Sequence, residues 1–125
     1  MQPMANVVSS ASSMAGNVVR NLEGDTLGKI EELMIDLDDG RVTYAVLSFG
    51  GSLGVREKLV AVPWDALTLD LDSHEFILNI DKHRLESAPG FDKESWPQMA
   101  DRQWAQNIHE YYGHRPYWDA RAPLL

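Results

Sequence analysis

The 125-residue chain contains no cysteine. That excludes a disulfide framework, thiolate catalysis and Cys-ligated zinc or iron–sulfur centres. Cations are scarce as well: 11 Lys and Arg stand against 19 Asp and Glu, for a formal net charge of −8. Such a surface repels phosphate backbones and anionic lipid headgroups, so nucleic acid is not an expected partner, whereas a basic protein is allowed. Long apolar runs are missing too. Nothing approaches the ~18 apolar residues of a membrane span, and direct membrane insertion is not expected. The opening stretch MQPMANVVSSASSMA has neither the basic nor the apolar region of a secretory signal, and with the lack of cysteine it suits a cytoplasmic protein. Metal-ligand spacing is also lacking. His74, His83, His109 and His114 form no H-x-x-x-H pair, and structural zinc sites are usually Cys-rich. Asp36, Asp38 and Asp39 in D-L-D-D-G break the spacing of a calcium loop and read as an acidic hairpin turn. No metal and no cofactor is expected.

What is present is an ordinary globular composition, with 44% hydrophobic and 24% charged residues, enough for one domain. Asp39-Gly40 lies between residues 27–37 and the β-branched, aromatic stretch 42–49, a strong hairpin signal, although a helix is conceivable over 31–34. Residues 18–20 and 58–64 read as further strands, with Pro63 near the end of the latter. Residues 67–71 and 76–80 read as a second hairpin about Asp72-Ser73-His74. The spacing predicts a mainly β chain, a small antiparallel barrel or sandwich. Ser12 or Ser13 can cap a short turn ending at Gly16. Residues 82–87 form one helical turn, and Asp101 caps a helix that runs to Tyr112 and stops at Gly113. Trp104, Ile108 and Tyr111 make its apolar stripe. The expected divisions are a tail over 1–11, a barrel over 12–87, a loop–helix extension over 88–119 and a frayed end over 120–125.

Gly50 to Gly54 reads G-G-S-L-G, which satisfies the G-x-S-x-G pattern of a hydrolase nucleophile elbow. That elbow needs a strand, a sharp turn and a helix. Here a strand follows, so Ser52 reads as a hairpin-loop residue and the chain as a non-enzyme. The alternatives are a small-ligand or metal-sensing barrel, or a hydrolase using Ser52. Residues 42–49 are apolar on both faces, while a small barrel fills only its inside. The outer face therefore needs a cover, from the Trp-bearing C-terminal segment or a second subunit. Trp64, Trp96, Trp104 and Trp118 are many for so short a chain and serve as core anchors or as an interface. The candidate interface residues are Tyr44, Phe49, Trp96, Trp104, Tyr111, Tyr112 and Trp118.

Several blocks carry a resemblance. They are Ser12-x-x-x-Gly16, E-G-D-T-L-G-K-I-E-E-L-M-I-D at 23–36, D-D-G-R-V-T-Y-A-V-L-S-F-G-G at 38–51 and K-L-V-A-V-P-W-D-A-L at 58–67. With these, residues 11–81 resemble the PRC-barrel domain, the β-barrel of the photosynthetic reaction-centre H subunit's cytoplasmic part and of the bacterial 16S rRNA-processing factor's C-terminus. A-P-G-F-D-K-E-S-W-P at 88–97 and H-E-Y-Y-G-H-R-P-Y-W at 109–118 resemble stand-alone bacterial members. The resemblance implies a PRC-type barrel and an adaptor that binds other proteins, with no family catalytic residues to carry over. Self-association is expected, a homodimer first.

Overall fold

The hairpin turn is built as its sequence demands. The Gly40 amide donates to the Asp36 carbonyl at 2.7 Å, and Gly40 sits at φ +69°, a conformation glycine adopts without steric cost. Around this turn the computed structural model describes residues 8–50, 57–70 and 72–120. In chain order the elements are α1 (Ala11–Met14), β1 (Val18–Arg20), β2 (Thr26–Asp36), β3 (Arg41–Phe49), β4 (Lys58–Pro63), a 3-10 turn (Trp64–Ala66), β5 (Leu67–Asp70), β6 (Glu75–Leu78), α2 (Lys82–Glu86), α3 (Arg102–Tyr112) and α4 (Tyr117–Ala120).

The strands form one six-stranded sheet in the order β4-β3-β2-β1-β6-β5. Its curvature follows from connectivity. The two outermost strands, β4 and β5, are joined only by the 3-10 turn. Pro63 and Leu67 are four residues apart along the chain, which spans at most about 14 Å. Six flat strands spaced at about 4.8 Å would hold their edges about 24 Å apart. The sheet must therefore curl, and the fold is the expected mainly β, barrel-type architecture. Within it the pairings are antiparallel except β1 with β6, which is parallel. A parallel pair needs a long crossover, and the other strands supply it here.

β2 explains the helix-like spacing of its sequence. Register shifts interrupt its ladders, one opposite Val19/Arg20 and one between Ile30 and Glu32. Each bulge inserts a residue and reverses the alternation beyond it. Leu27, Ile30 and Leu33, spaced by three, consequently all reach the inner core, alongside Val19, Leu47 and Val62. Leu85 of α2 joins the same cluster.

Three details differ from expectation. α1 is capped by Ser10, whose side chain accepts from the Ser13 amide, rather than by Ser12 or Ser13. Trp64 leaves the strand and enters the 3-10 turn after Pro63, where its ring lies 5.8 Å from Phe76. Residues 117–120 form a helix, α4, that the aromatic and proline-rich sequence did not announce.

Candidate protein-interaction surface

Asp101 starts α3 by accepting from the Trp104 amide at 3.0 Å, and Gly113, at φ +73°, ends it, both common capping devices. Between them Ala105, Ile108 and His109 are buried. Ala105 and Ile108 meet Tyr44 of β3 and Ala61 of β4 in a second hydrophobic cluster, distinct from the inner one, and the His109 ring lies beside it, 5.5 Å from that of Tyr44. This accounts for the two apolar faces of β3. Ala45 and Leu47 point into the inner core, and Tyr44 points to the outer cluster.

The outer cluster is aromatic. Tyr44 lies 5.3 Å from Trp104 at an interplanar angle of 70° and 6.2 Å from Tyr117 at 88°, edge-to-face geometries that the ring quadrupoles favour. His109 stands 5.9 Å from Trp118. Cations hold the rim. Arg41 donates to the Tyr117 carbonyl at 2.9 Å and lies 5.2 Å from that ring. Arg102 lies 4.0 Å from the Trp118 ring. The Tyr117 hydroxyl donates to Asp36 Oδ2 at 3.0 Å, and burial, then that bond, raises its pKa. Burial pushes the Tyr44 hydroxyl far above its ordinary range and lowers His109.

Beside this cluster the β2–β3 turn leaves a groove of about 370 Å³ against the chain entering α3. Met34, Ile35, Leu37, Met99, Arg102 and Tyr117 line it, with Asp36 and Asp38 on its wall. Ile35 is 51% exposed and Leu37 is 90% exposed. A larger cavity of about 810 Å³ lies at the other end of the β2–β3 pair, lined by Leu27, Lys29, Phe49, Lys58, Lys82 and Leu85 among others. There Lys58 Nζ donates to the Glu86 carbonyl at 2.7 Å and sits 5.7 Å from the Phe49 ring.

The aromatic residues expected at an interface are scattered by the fold. Tyr44 is 1% exposed and presents no surface. It is a core residue because α3 and α4 cover the outer face of β3. Trp104 and Trp118 are half-buried against it and His109. Phe49 is half-buried in the larger cavity. Tyr111 and Tyr112 pack against the inner cluster, and Tyr111 exchanges hydrogen bonds with Arg84 of α2. Trp96 remains 38% exposed, resting 5.0 Å from Phe91. Ser52 lies outside the described residues. His109, expected beside the helix stripe, is inside it at 1% exposure, whereas His74, His83 and His114 are exposed. Asp36 shapes the turn by accepting from the amides of Asp38 and Asp39. Sequence reasoning missed Met34, Ile35, Leu37 and Met99. One signal was present: Leu37 is apolar in a hairpin turn, where polar residues dominate.

Residues 6–85 match the family model of the PRC-barrel domain. Among solved structures, a Pseudomonas aeruginosa protein described as the 16S ribosomal RNA processing protein RimM aligns with a TM-score of 0.41 and 21% identity, over 66% of this chain and 50% of that one. The chain thus spans half the length of that protein. No curated protein matches the chain.

Proposed function

The chain belongs to the PRC-barrel domain family, and from that premise we propose that it is a non-enzymatic protein-binding module acting in the cytoplasm. The observation that supports this reading is the set of apolar side chains held in solvent by an ordered frame, above all Ile35 and Leu37 beside the groove. Contiguous exposed apolar surface marks interaction sites more often than isolated residues do. In this reading residues 12–87 are the binding barrel and residues 88–119 an extension that seals its outer face.

The proposal includes self-association, with a dimer as the simplest product. Trp96 supports it. Its indole N–H is satisfied by the Lys93 carbonyl at 2.8 Å, which leaves an apolar ring in solvent, the type of residue enriched at interface centres.

The test is chemical cross-linking of the tagged chain in its native host, with excess untagged chain as competitor. Saturable, competed protein adducts are expected. Covalent labelling of Ser52 by a fluorophosphonate would overturn the non-enzymatic reading. Sedimentation velocity tests the dimer: Trp96→Glu is expected to shift the chain to monomer, and a wild-type chain already monomeric at high concentration removes self-association.

A further inference from the structure

We propose that α4 is a strap over the outer aromatic cluster, closed at neutral pH and lifted by protonation of His109 while α3 and the sheet stay folded; this goes beyond the binding-module reading and does not depend on it. The segment that covers β3 and β4 is fastened unevenly. At its start, Phe91 and Leu59 exchange two backbone hydrogen bonds, at 3.1 and 2.9 Å. In its middle, α3 is held by the buried side chains of Ala105 and Ile108. Among the described residues no backbone hydrogen bond ties residues 115–119 to the sheet. Side chains make the attachment there: Arg41 to the Tyr117 carbonyl and ring, the Tyr117 hydroxyl to Asp36, and Arg102 to the Trp118 ring. Contacts of this kind hold least where solvent reaches them, so local opening starts from the C-terminal end.

Beneath the strap lie two polar atoms that opening would hydrate. His109 is 1% exposed, its ring 5.9 Å from that of Trp118 and 6.1 Å from that of Tyr117. Its Nδ1 donates to the Ala105 carbonyl at 2.7 Å, so Nε2 is left as an acceptor. Neither Nε2 nor the Tyr44 hydroxyl has a hydrogen-bond partner among the described residues, and water satisfies both once α4 lifts. A proton on Nε2 strains the closed state further, because a buried cation would then lack an acceptor. Burial is the leading influence on the ring and opposes its charging, with His114 beyond α3 acting the same way; the Ala105 bond and Asp65 of the 3-10 turn act against it and are outweighed. Tyr44 of β3 and Tyr117 of α4 face the ring. Arg41 and Arg102 bring positive charge to the rim, Asp36 is bonded to Tyr117, and Glu110 of α3 and Asp119 of α4 are exposed. Lifting the strap returns the imidazole to water, where it charges near its ordinary value of about 6.5. The open state therefore binds the proton more tightly, and acid favours it.

The tryptophans supply the probes. The full chain is labelled with fluorotryptophan, its signals are assigned by single Trp→Phe replacements, and fluorine relaxation dispersion is recorded across pH. Trp118 is expected to exchange with a solvent-exposed state whose population rises by up to about tenfold from about pH 7.5 to about pH 5.5. Trp64, packed on the inner cluster, is expected to show no such exchange. His109→Phe keeps a ring in place and is expected to abolish the pH dependence. Tyr117→Phe deletes the Asp36 bond and is expected to raise the open population about fivefold at every pH, the loss of one hydrogen bond. Independently of any variant, nitrogen relaxation dispersion at the His109 ring is expected to show a protonated imidazole in the open state. A neutral ring there at about pH 5.5, exchange at Trp118 that ignores pH, or a pH response that survives His109→Phe would overturn the proposal. So would an unchanged open population in Tyr117→Phe, or Trp64 exchanging together with Trp118, which marks global unfolding and not a strap.

Discussion

β3 and β4 carry two hydrophobic clusters back to back, and the clusters are made of different material. The inner one is mostly aliphatic, with Val, Leu, Ile and Ala drawn from the strands and α2. The outer one is largely aromatic, and most of its members arrive from residues 91–118. The fully buried members of the inner cluster are aliphatic apart from Phe76 and carry no side-chain polar atoms to satisfy. The outer cluster buries Tyr44 Oη and His109 Nε2 without hydrogen-bond partners among the described residues, and Tyr112 Oη, which borders both clusters, is buried the same way. Each such atom costs about 1–3 kcal/mol. The comparison teaches that the curled sheet is specified from within, while its cover combines large apolar area with unpaired polar groups and cation–ring contacts at the rim. The cover is the layer where stability responds to pH and to single polar changes.

The comparison breaks most completely if the cover is removed. Ending the chain after Pro89 strips the aromatic residues from the outer face of β3 and β4. Each large ring buries about 150–250 Å², at about 25 cal/mol per Å², so the loss rivals the ~5–15 kcal/mol stability of a typical domain. Residues 1–89 are expected to aggregate or melt without cooperativity; a monodisperse fragment with a cooperative transition would show that the inner cluster suffices. Next, Leu47→Ala opens a cavity in the aliphatic cluster and is expected to cost about 2–5 kcal/mol in denaturant unfolding. Trp104→Ala, in the aromatic cover, is expected to cost about 2–3 kcal/mol, below the range for a fully buried ring because Trp104 is half-buried. A larger loss at Trp104 than at Leu47 would reverse the ranking of the two layers.

His109 sharpens the contrast through pH. Its Nδ1 lies 2.7 Å from the Ala105 carbonyl and donates to it in the neutral ring, while Nε2 has no partner among the described residues. Burial, the leading cause, lowers its pKa, reinforced by His114 and opposed by the Ala105 bond and Asp65. The unfolded chain therefore takes up a proton that the folded one resists. The stability that the neutral ring contributes is complete above the unfolded value of about 6.5 and declines as pH falls below it. Melting temperature is expected to fall from about pH 7.5 to about pH 5.5, and His109→Phe is expected to flatten that slope. An identical slope in the variant would assign it to other groups. The smallest expected effect has the opposite sign. Tyr44→Phe keeps the ring contacts with Trp104 and Tyr117 and deletes the unpaired hydroxyl, so stability rises by up to about 1 kcal/mol; a loss would reveal a partner for that hydroxyl.

Much of the fold was legible locally. The Asp39-Gly40 hairpin, the strand at 58–63, the Asp101 cap and the Gly113 stop each depend on side chains within a few residues of the backbone they shape. The two-sided hydrophobicity of residues 42–49 announced that something must cover the sheet. The interface was read less well, because aromatic content alone does not separate a ring that seals a core from one that faces a partner. Tyr44 and Trp96 are equally good candidates as residue types, yet one is sealed by α3 and α4 and the other is exposed. The groove residues were hidden for a related reason: Met34 and Met99 are 65 positions apart and meet only when the chain entering α3 settles beside the hairpin.

By itself the sequence determined the mainly β class, the positions of the turns, the acidic field and the absence of thiol chemistry, because turn geometry, strand propensity and charge act over a few residues or simply add. Tertiary structure alone decided three other things. The span of the Pro63–Leu67 link against the width of six strands decided that the sheet curls, with β1 and β6 running parallel. The bulges in β2 decided which of its apolar residues face inward, since each bulge reverses the alternation a reader would extrapolate. The docking of residues 91–118 decided that Tyr44 and His109 are buried while Ile35 and Leu37 are left in solvent, because burial is a property of what arrives from elsewhere in the chain and not of the residue itself.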